Sequence, residues 1–248
     1  VLSTTLADQT MPVGDLPGWR QIFTEDFNQN VELGNFPGPE YQDKFTVYPD
    51  GTKDTAGQKG GTSVYYPSKV VSVKDSMLRL YLHTENGVQL SAAILPIIPG
   101  THLFGKYTIR FRSESIQGFK TAWLLWPDNG NWPYDGEVDF PEGDLSGGIN
   151  AYLHPIHAAS ATDQTTFLST IPYTDWHTAS IEWSSKYIRF ILDNKVLGQA
   201  TNRIPINPMS WILQTEACLP HRYPVITDGT LHIDWMVAYA QDDGTTDE

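Results

Sequence analysis

Cysteine is nearly absent from this chain of 248 residues: Cys218 is the single one, which excludes an intramolecular disulfide and a zinc site built on paired thiolates. No His-Glu-x-x-His run occurs either, so catalytic transition-metal chemistry has no motif to rest on. Basic residues are scarce. Sixteen Lys and Arg stand against 29 Asp and Glu, a net charge of −13. Such a chain repels nucleic acid and anionic membrane overall, and is indifferent to a neutral polymer. No apolar run is long enough to span a bilayer, and Val1 to Leu16 lacks the basic and apolar regions of a secretory leader. We therefore expect a soluble chain with no membrane partner. Internal repeats, low-complexity linkers and long windows of helical period are also missing.

What is present is a series of short alternating segments. Val70 to Val73, Met77 to His83, Tyr107 to Arg112, Ile149 to Leu153, Ile188 to Leu192 and Leu231 to Tyr239 read as strands. Turn signals separate them: Lys74-Asp75, Glu85-Asn86-Gly87, Asp193-Asn194 and Asp228-Gly229. The chain is predicted to be all-β, a sandwich of two sheets, with residues 1–248 forming one domain. The Gly- and Pro-rich stretch from Gly34 to Gly61 contains Phe36, Tyr41, Phe45 and Tyr48, and so reads as a packed long loop and not as a tether.

The chemistry concentrates in Trp132-Pro133-Tyr134-Asp135-Gly136-Glu137-Val138-Asp139-Phe140-Pro141-Glu142-Gly143. Alternate side chains of a strand share a face, so Glu137 and Asp139 project together. Glu142 has the wrong parity for a regular strand, and one extra residue, a β-bulge, returns it to their face. Pro141 suits that bulge, because proline has no N–H for a ladder. An acidic chain can also place such acids on a solvent-facing strand. Against that alternative, no Lys or Arg lies between Asp128 and Ser185, and Trp132, Tyr134 and Phe140 crowd the segment. Like charges next to aromatics are what separate the pKa values of an acid and a base. Gathered on one side, the three carboxylates form a layout for cleaving glycosidic bonds.

At these residues the chain resembles glycoside hydrolase family 16, whose signature is Glu-[Ile/Val]-Asp-x-x-Glu, often after Trp-Pro-x-x-Gly. Further blocks are similar and in family order: Phe23 to Asn28, Phe104 to Arg112, Trp176 to Trp183, Ile188 to Lys195 and His232 to Tyr239. The resemblance implies a β-jelly roll of two antiparallel sheets, concanavalin A-like, whose concave sheet carries the cleft. It implies a retaining endo-glycosidase with Glu137 as nucleophile, Glu142 as acid/base shielded by Phe140, and Asp139 orienting Glu137. The bulged form of the motif favours β-1,3-glucan as the polysaccharide substrate. No cofactor is required. A structural calcium, with Asp234 as carboxylate ligand, accompanies the family frequently and suits oxygen donors. A secreted, monomeric protein is the corresponding expectation.

Around the acids, Trp132 is the first candidate for a sugar-stacking platform and Trp126 the second, while Trp123 and Trp183 read as core. Alternation in Trp211 to Glu216 assigns Gln214 and Glu216 to the cleft. His154 stands where the family often carries a histidine, and is expected to reach Glu142. His177 is expected in strand packing away from the cleft. Departures from the family pattern are specific: Lys120 and Leu124 stand in place of two habitual tryptophans, and Lys69 and Gln214 in place of asparagines. They admit a decorated or anionic glycan met by Lys69 and Lys120. Transglycosylation, or a lectin-like sandwich without catalysis, are the alternative outcomes.

Overall fold

In the computed structural model residues 10–219 and 227–242 are described. The ends of the predicted domain range, 1–9 and 243–248, lie outside the described residues. The first strands are β1 (Trp19–Glu25), β2 (Phe45–Val47), β3 (Thr52–Lys53), β4 (Val64–Tyr65), β5 (Val71–Val73) and β6 (Leu78–Glu85). They continue as β7 (Val88–Pro96), β8 (Gly105–Ser113), β9 (Phe119–Pro127), β10 (Glu137–Asp144), β11 (Asn150–His154) and β12 (Thr165–Phe167). The last are β13 (His177–Trp183), β14 (Ile188–Leu192), β15 (Lys195–Ala200), β16 (Met209–Ala217) and β17 (Gly229–Gln241). Three single-turn helices, α1 (Gly38–Tyr41), α2 (Thr55–Gln58) and α3 (Pro67–Val70), lie in the connections.

Two antiparallel sheets make the jelly-roll sandwich. The sheet carrying the acidic motif pairs in the order β2-β7-β16-β9-β10-β11-β12. In the other, β17 is flanked by β1 and β6 on one side and β8 on the other, and β13, β14 and β15 follow β8. Three of the four turn signals act as read: Asp75, Asn86, Gly87, Asp193 and Asn194 all adopt positive φ, the conformation that hairpin turns demand, whereas at Asp228-Gly229 the glycine already opens β17. The long loop is packed too, with Phe36 and Tyr41 against Phe45 at ring distances of 5.8 and 6.3 Å.

The pleat decides what reaches the core. On β9, Phe119, Thr121, Trp123 and Leu125 point between the sheets, and on β16 so do Trp211, Leu213 and Thr215. Trp123 donates its indole N–H to Thr215 Oγ1 at 3.1 Å, and Trp183 donates to Pro205 O at 2.8 Å. Both tryptophans are therefore core residues with their one polar atom satisfied, as buried indoles require. The complementary set, Lys120, Ala122, Leu124 and Trp126 on β9 with Ile212, Gln214 and Glu216 on β16, faces the opposite side and lines a cleft.

Candidate active site

The cleft has a volume of about 910 Å³ and Glu137, Asp139 and Glu142 lie on its floor. Gly136, at φ +86, delivers the chain into β10; a Cβ there would stand 2.8 Å from the His154 carbonyl, so the close approach of β11 needs glycine. Along β10 the register slips once. Asp139 opposes Tyr152 and Leu124, and the next paired residue, Glu142, opposes Asn150 and Ala122. Three residues of β10 thus span two of each neighbour, which is the bulge expected around Phe140-Pro141. Its effect on parity is as predicted. Val138 and Phe140 enter the core, and all three acids stay on the cleft face.

Phe140 does not shield Glu142. It packs edge-on against Phe190 at 5.5 Å within the sandwich, because the residue after Asp139 must alternate inward. What Glu142 meets instead is Lys120, whose Nζ is 3.3 Å from Oε1. The positive charge missing from residues 128–185 is supplied from the neighbouring strand, a contact that local sequence cannot show.

Glu137 is held from the other side. Trp132 donates its indole N–H to Glu137 Oε2 at 2.6 Å and stacks on Trp126 with ring centres 5.6 Å apart. The two tryptophans therefore form one aromatic wall, with Trp132 about one-third exposed. His154 pairs in register with Glu137. Its Nε2 lies 3.9 Å from Glu137 and 4.0 Å from Asp139, so it borders the Glu137 end of the cluster and not Glu142. Burial pushes the imidazole below its usual pKa and leaves it neutral at neutral pH.

Electrostatically the three acids form one system. Burial, then the charges of Glu137 and Glu142, drive Asp139 well above the ordinary carboxylate range. Burial also raises Glu137, opposed first by a hydrogen bond with Asp139 and joined by the Glu142 charge. Desolvation raises Glu142, and Lys120 draws it back down. Asp139 and Glu137 are therefore both biased toward their protonated forms, and they titrate as one coupled pair. The buried Oδ2 of Asp139 has no hydrogen-bond partner among the described residues, with His154 Nε2 at 4.0 Å.

Two predicted cleft residues take different roles. Gln214 lines the cleft. Glu216 does too, but its carboxylate is committed: Oε1 accepts from the Tyr65 hydroxyl and from Thr55 Oγ1 at 2.8 Å, and Oε2 lies 3.7 Å from Lys120 Nζ. At 1% exposed it is a buried tie and not a sugar ligand. Asp54, fully buried, helps by capping α2 at Gly57 N (2.8 Å) and accepting Ala217 N from β16 (2.9 Å). Together they staple residues 52–65 to the cleft floor, an arrangement that alternation within one strand does not reveal. Lys69 pairs with Glu85 and is not among the cleft residues. His177 sits on the other sheet, bonded to Asp193 at 2.7 Å and Pro172 O at 2.8 Å, as expected.

Asp234 does not fit a calcium ion. Its Oδ2 already accepts from Arg110 Nη1 at 2.9 Å, and that guanidinium packs on Trp176 at 4.4 Å. The guanidinium thus already supplies a cation at that carboxylate. Three carboxylate or imidazole side chains converge within 4.8 Å only at Glu137, Asp139 and His154 among the described residues, and these belong to the acid cluster.

Comparison with known proteins agrees with this geometry. A family model described as "Glycosyl hydrolases family 16" matches residues 58–237. Among solved structures, SCLam, described as a non-specific endo-β-1,3(4)-glucanase from family GH16, superposes with a TM-score of 0.74 at 16% identity, covering 94% of this chain and 95% of that one. The laminarinase from Rhodothermus marinus gives 0.74 at 18%, covering 91% and 98%. A structure described with endo-acting O-glycanases of the human gut microbiota that initiate mucin breakdown gives 0.70 at 18%, covering 94% and 95%. At such identities these likenesses establish the fold alone. The comparison with curated proteins returned no match.

Proposed function

The chain belongs to glycosyl hydrolases family 16, and from that premise we propose that it is a retaining endo-glycosidase that hydrolyses internal β-glycosidic bonds of a polysaccharide, β-1,3-glucan foremost. The observation that carries the reading is the bulge that seats Glu137, Asp139 and Glu142 on one face of the cleft floor. Glu142 protonates the glycosidic oxygen as Glu137 attacks the anomeric carbon, giving a covalent glycosyl-enzyme. Glu142, now a base, then takes a proton from the water that releases it. Trp132 and Asp139 hold Glu137 in line, and the Trp132–Trp126 wall offers an aromatic face to the apolar side of a sugar ring.

The bulged motif and the activities by which the laminarinase-type structures are described support the β-1,3-glucan choice. A second reading, an anionic or decorated glycan, is favoured by Lys53 and Lys59, which line the cleft and form no ion pair among the described residues. An extracellular monomer fits either substrate. No helix among the described residues is long and apolar enough to cross a membrane.

Laminarin, lichenan, agarose, carrageenan, xyloglucan and a mucin-type glycopeptide, assayed side by side with product sizes and anomeric configuration measured, test the proposal. Internal cleavage of laminarin with first-formed β-anomers is expected. Glu137→Gln and Glu142→Gln should each abolish it while leaving the fold intact, and azide should partly rescue Glu142→Ala on an activated aryl glycoside. Inverted products, or full activity in either Gln variant, would remove the double-displacement assignment. Binding without cleavage on every glycan would establish the lectin-like alternative instead.

A further inference from the structure

Lys120 occupies an unusual position. On β9 it stands in register between Asp144 of β10 and Glu216 of β16, and its ammonium bridges Glu142 at 3.3 Å and Glu216 at 3.7 Å. Glu216 is itself immobilised, because its other oxygen is taken by Tyr65 and Thr55. Lys120 is therefore anchored on a fixed counterion. Among the described residues it is the sole hydrogen-bond partner of the Glu142 carboxylate, whereas that of Glu137 has Trp132.

We propose that Lys120, clamped by Glu216, is the positioning residue of Glu142: its ammonium fixes the Glu142 carboxyl in the cleft and sets the pH range over which that carboxyl can give up a proton to a leaving group. The inference rests on the acid/base reading of Glu142. A receptor for an anionic sugar substituent is the weaker use of Lys120, since an incoming anion would face Glu137, Asp139, Glu142, Asp144 and Glu216 around it and would have to displace two carboxylates already in contact.

Two opposed influences act on Glu142. Lys120 favours its ionised form, while burial and the Glu216 charge favour the protonated one. On its own strand it also faces Glu137, Asp139 and Asp144, and across the cleft floor Tyr152 and His154 of β11; Tyr173 lies below, bonded to Thr121. Burial pulls the Lys120 ammonium toward neutrality, but Glu142 and Glu216 outweigh it and keep the amine charged. A charged amine beside a half-buried acid gives position at the expense of proton affinity, and Glu216 moderates the trade by sharing the cation.

The sign of each substitution follows. In protein labelled with 13C at the glutamate carboxyls, the Glu142 signal is assigned by its loss in Glu142→Gln and then titrated. Lys120→Met should raise its midpoint by about one pH unit or more, the usual effect of removing an adjacent opposite charge. Glu216→Gln, which keeps the acceptor for Tyr65 and Thr55, should lower it. Lys120→Arg should leave it near the wild-type value. On laminarin, Lys120→Met should lower kcat about tenfold or more, with little change in KM, and move the alkaline limb of kcat/KM to higher pH. The kcat/KM of a dinitrophenyl glycoside, whose departure needs no acid assistance, should be spared even where its kcat, limited by the base-assisted second step, falls, and Lys120→Arg should restore most of the loss. Midpoints that stay fixed in Lys120→Met and Glu216→Gln, or that move in the same direction, would overturn the inference. If laminarin and the other glycans resist the wild-type protein while the midpoints move oppositely, the enzymatic reading fails and the Lys120 contact stands. If cleavage is normal and the midpoints coincide, the positioning role fails alone.

Discussion

Asp139 shows what one residue gives up to serve a site. It is 3% exposed, and burial, with Glu137 and Glu142 close by, holds its pKa well above the ordinary carboxylate value. A carboxyl raised in this way favours the folded state fully below its unfolded pKa near 4. That contribution is lost as pH climbs through the raised folded value, because the buried group must then ionise or hold a proton that the unfolded chain would release. Asp139→Asn removes the titration and keeps the shape. Its melting temperature relative to wild type is therefore expected to rise between about pH 5 and pH 8, by roughly 2–4 °C for each kcal/mol relieved, while hydrolysis falls. Calorimetry across that range checks it, and a gap that does not vary with pH would show that Asp139 is not kept protonated by its surroundings.

At the level of the element, β10 carries the clearest test of the parity argument. Removing Pro141 alone leaves Glu137, Asp139 and Glu142 at alternating positions of a regular strand, all still on one face, with Phe140 still directed inward. Removing Phe140 and Pro141 together places Glu142 directly after Asp139 and turns it into the core. We expect the single deletion to fold and keep measurable activity on laminarin, and the double deletion to lose both soluble expression and turnover. Activity in the double deletion would show that the bulge does not set the facing of Glu142. The same pleat logic explains why so much of the site was legible. Period-two alternation marked Gln214 and Glu216 as cleft-facing, and Trp123 and Trp183 as core, before any coordinates. What alternation cannot supply is the partner across the ladder. The Lys120–Glu142 contact, the Tyr65 and Thr55 hold on Glu216, and the Arg110 guanidinium at Asp234 all join residues 22 to 161 positions apart. His154 fell at the predicted place and beside the wrong acid, since register with Glu137 is fixed by the hairpin and not by the motif.

For the whole molecule the charge of −13 frames the choice of substrate. A neutral glucan exchanges no counterions on binding, so kcat/KM on laminarin should change less than about twofold between roughly 20 and 500 mM NaCl, across which the Debye length shrinks several-fold. An anionic glycan drawn to Lys53 and Lys59 would lose affinity steeply over the same range, and a steep loss on laminarin itself would contradict the neutral-polymer reading. The sandwich class was readable from patterning, because strand alternation and turn chemistry are local, and the family from the resemblance carried by the Glu-x-Asp-x-x-Glu motif and the blocks around it. The wing formed by residues 52–65 was not, because its attachment depends on Asp54 and Glu216 meeting atoms on a strand more than 150 residues away.

That attachment has a consequence for anyone reshaping the cleft. Glu216 answers at once to the wing through Tyr65 and Thr55 and to the acid through Lys120. A graft that replaces the wing to accept a bulkier glycan would release one oxygen of Glu216 and, with it, disturb the cation next to Glu142. Specificity and pH optimum are coupled by a single side chain here, and a redesigned enzyme would need both retuned together.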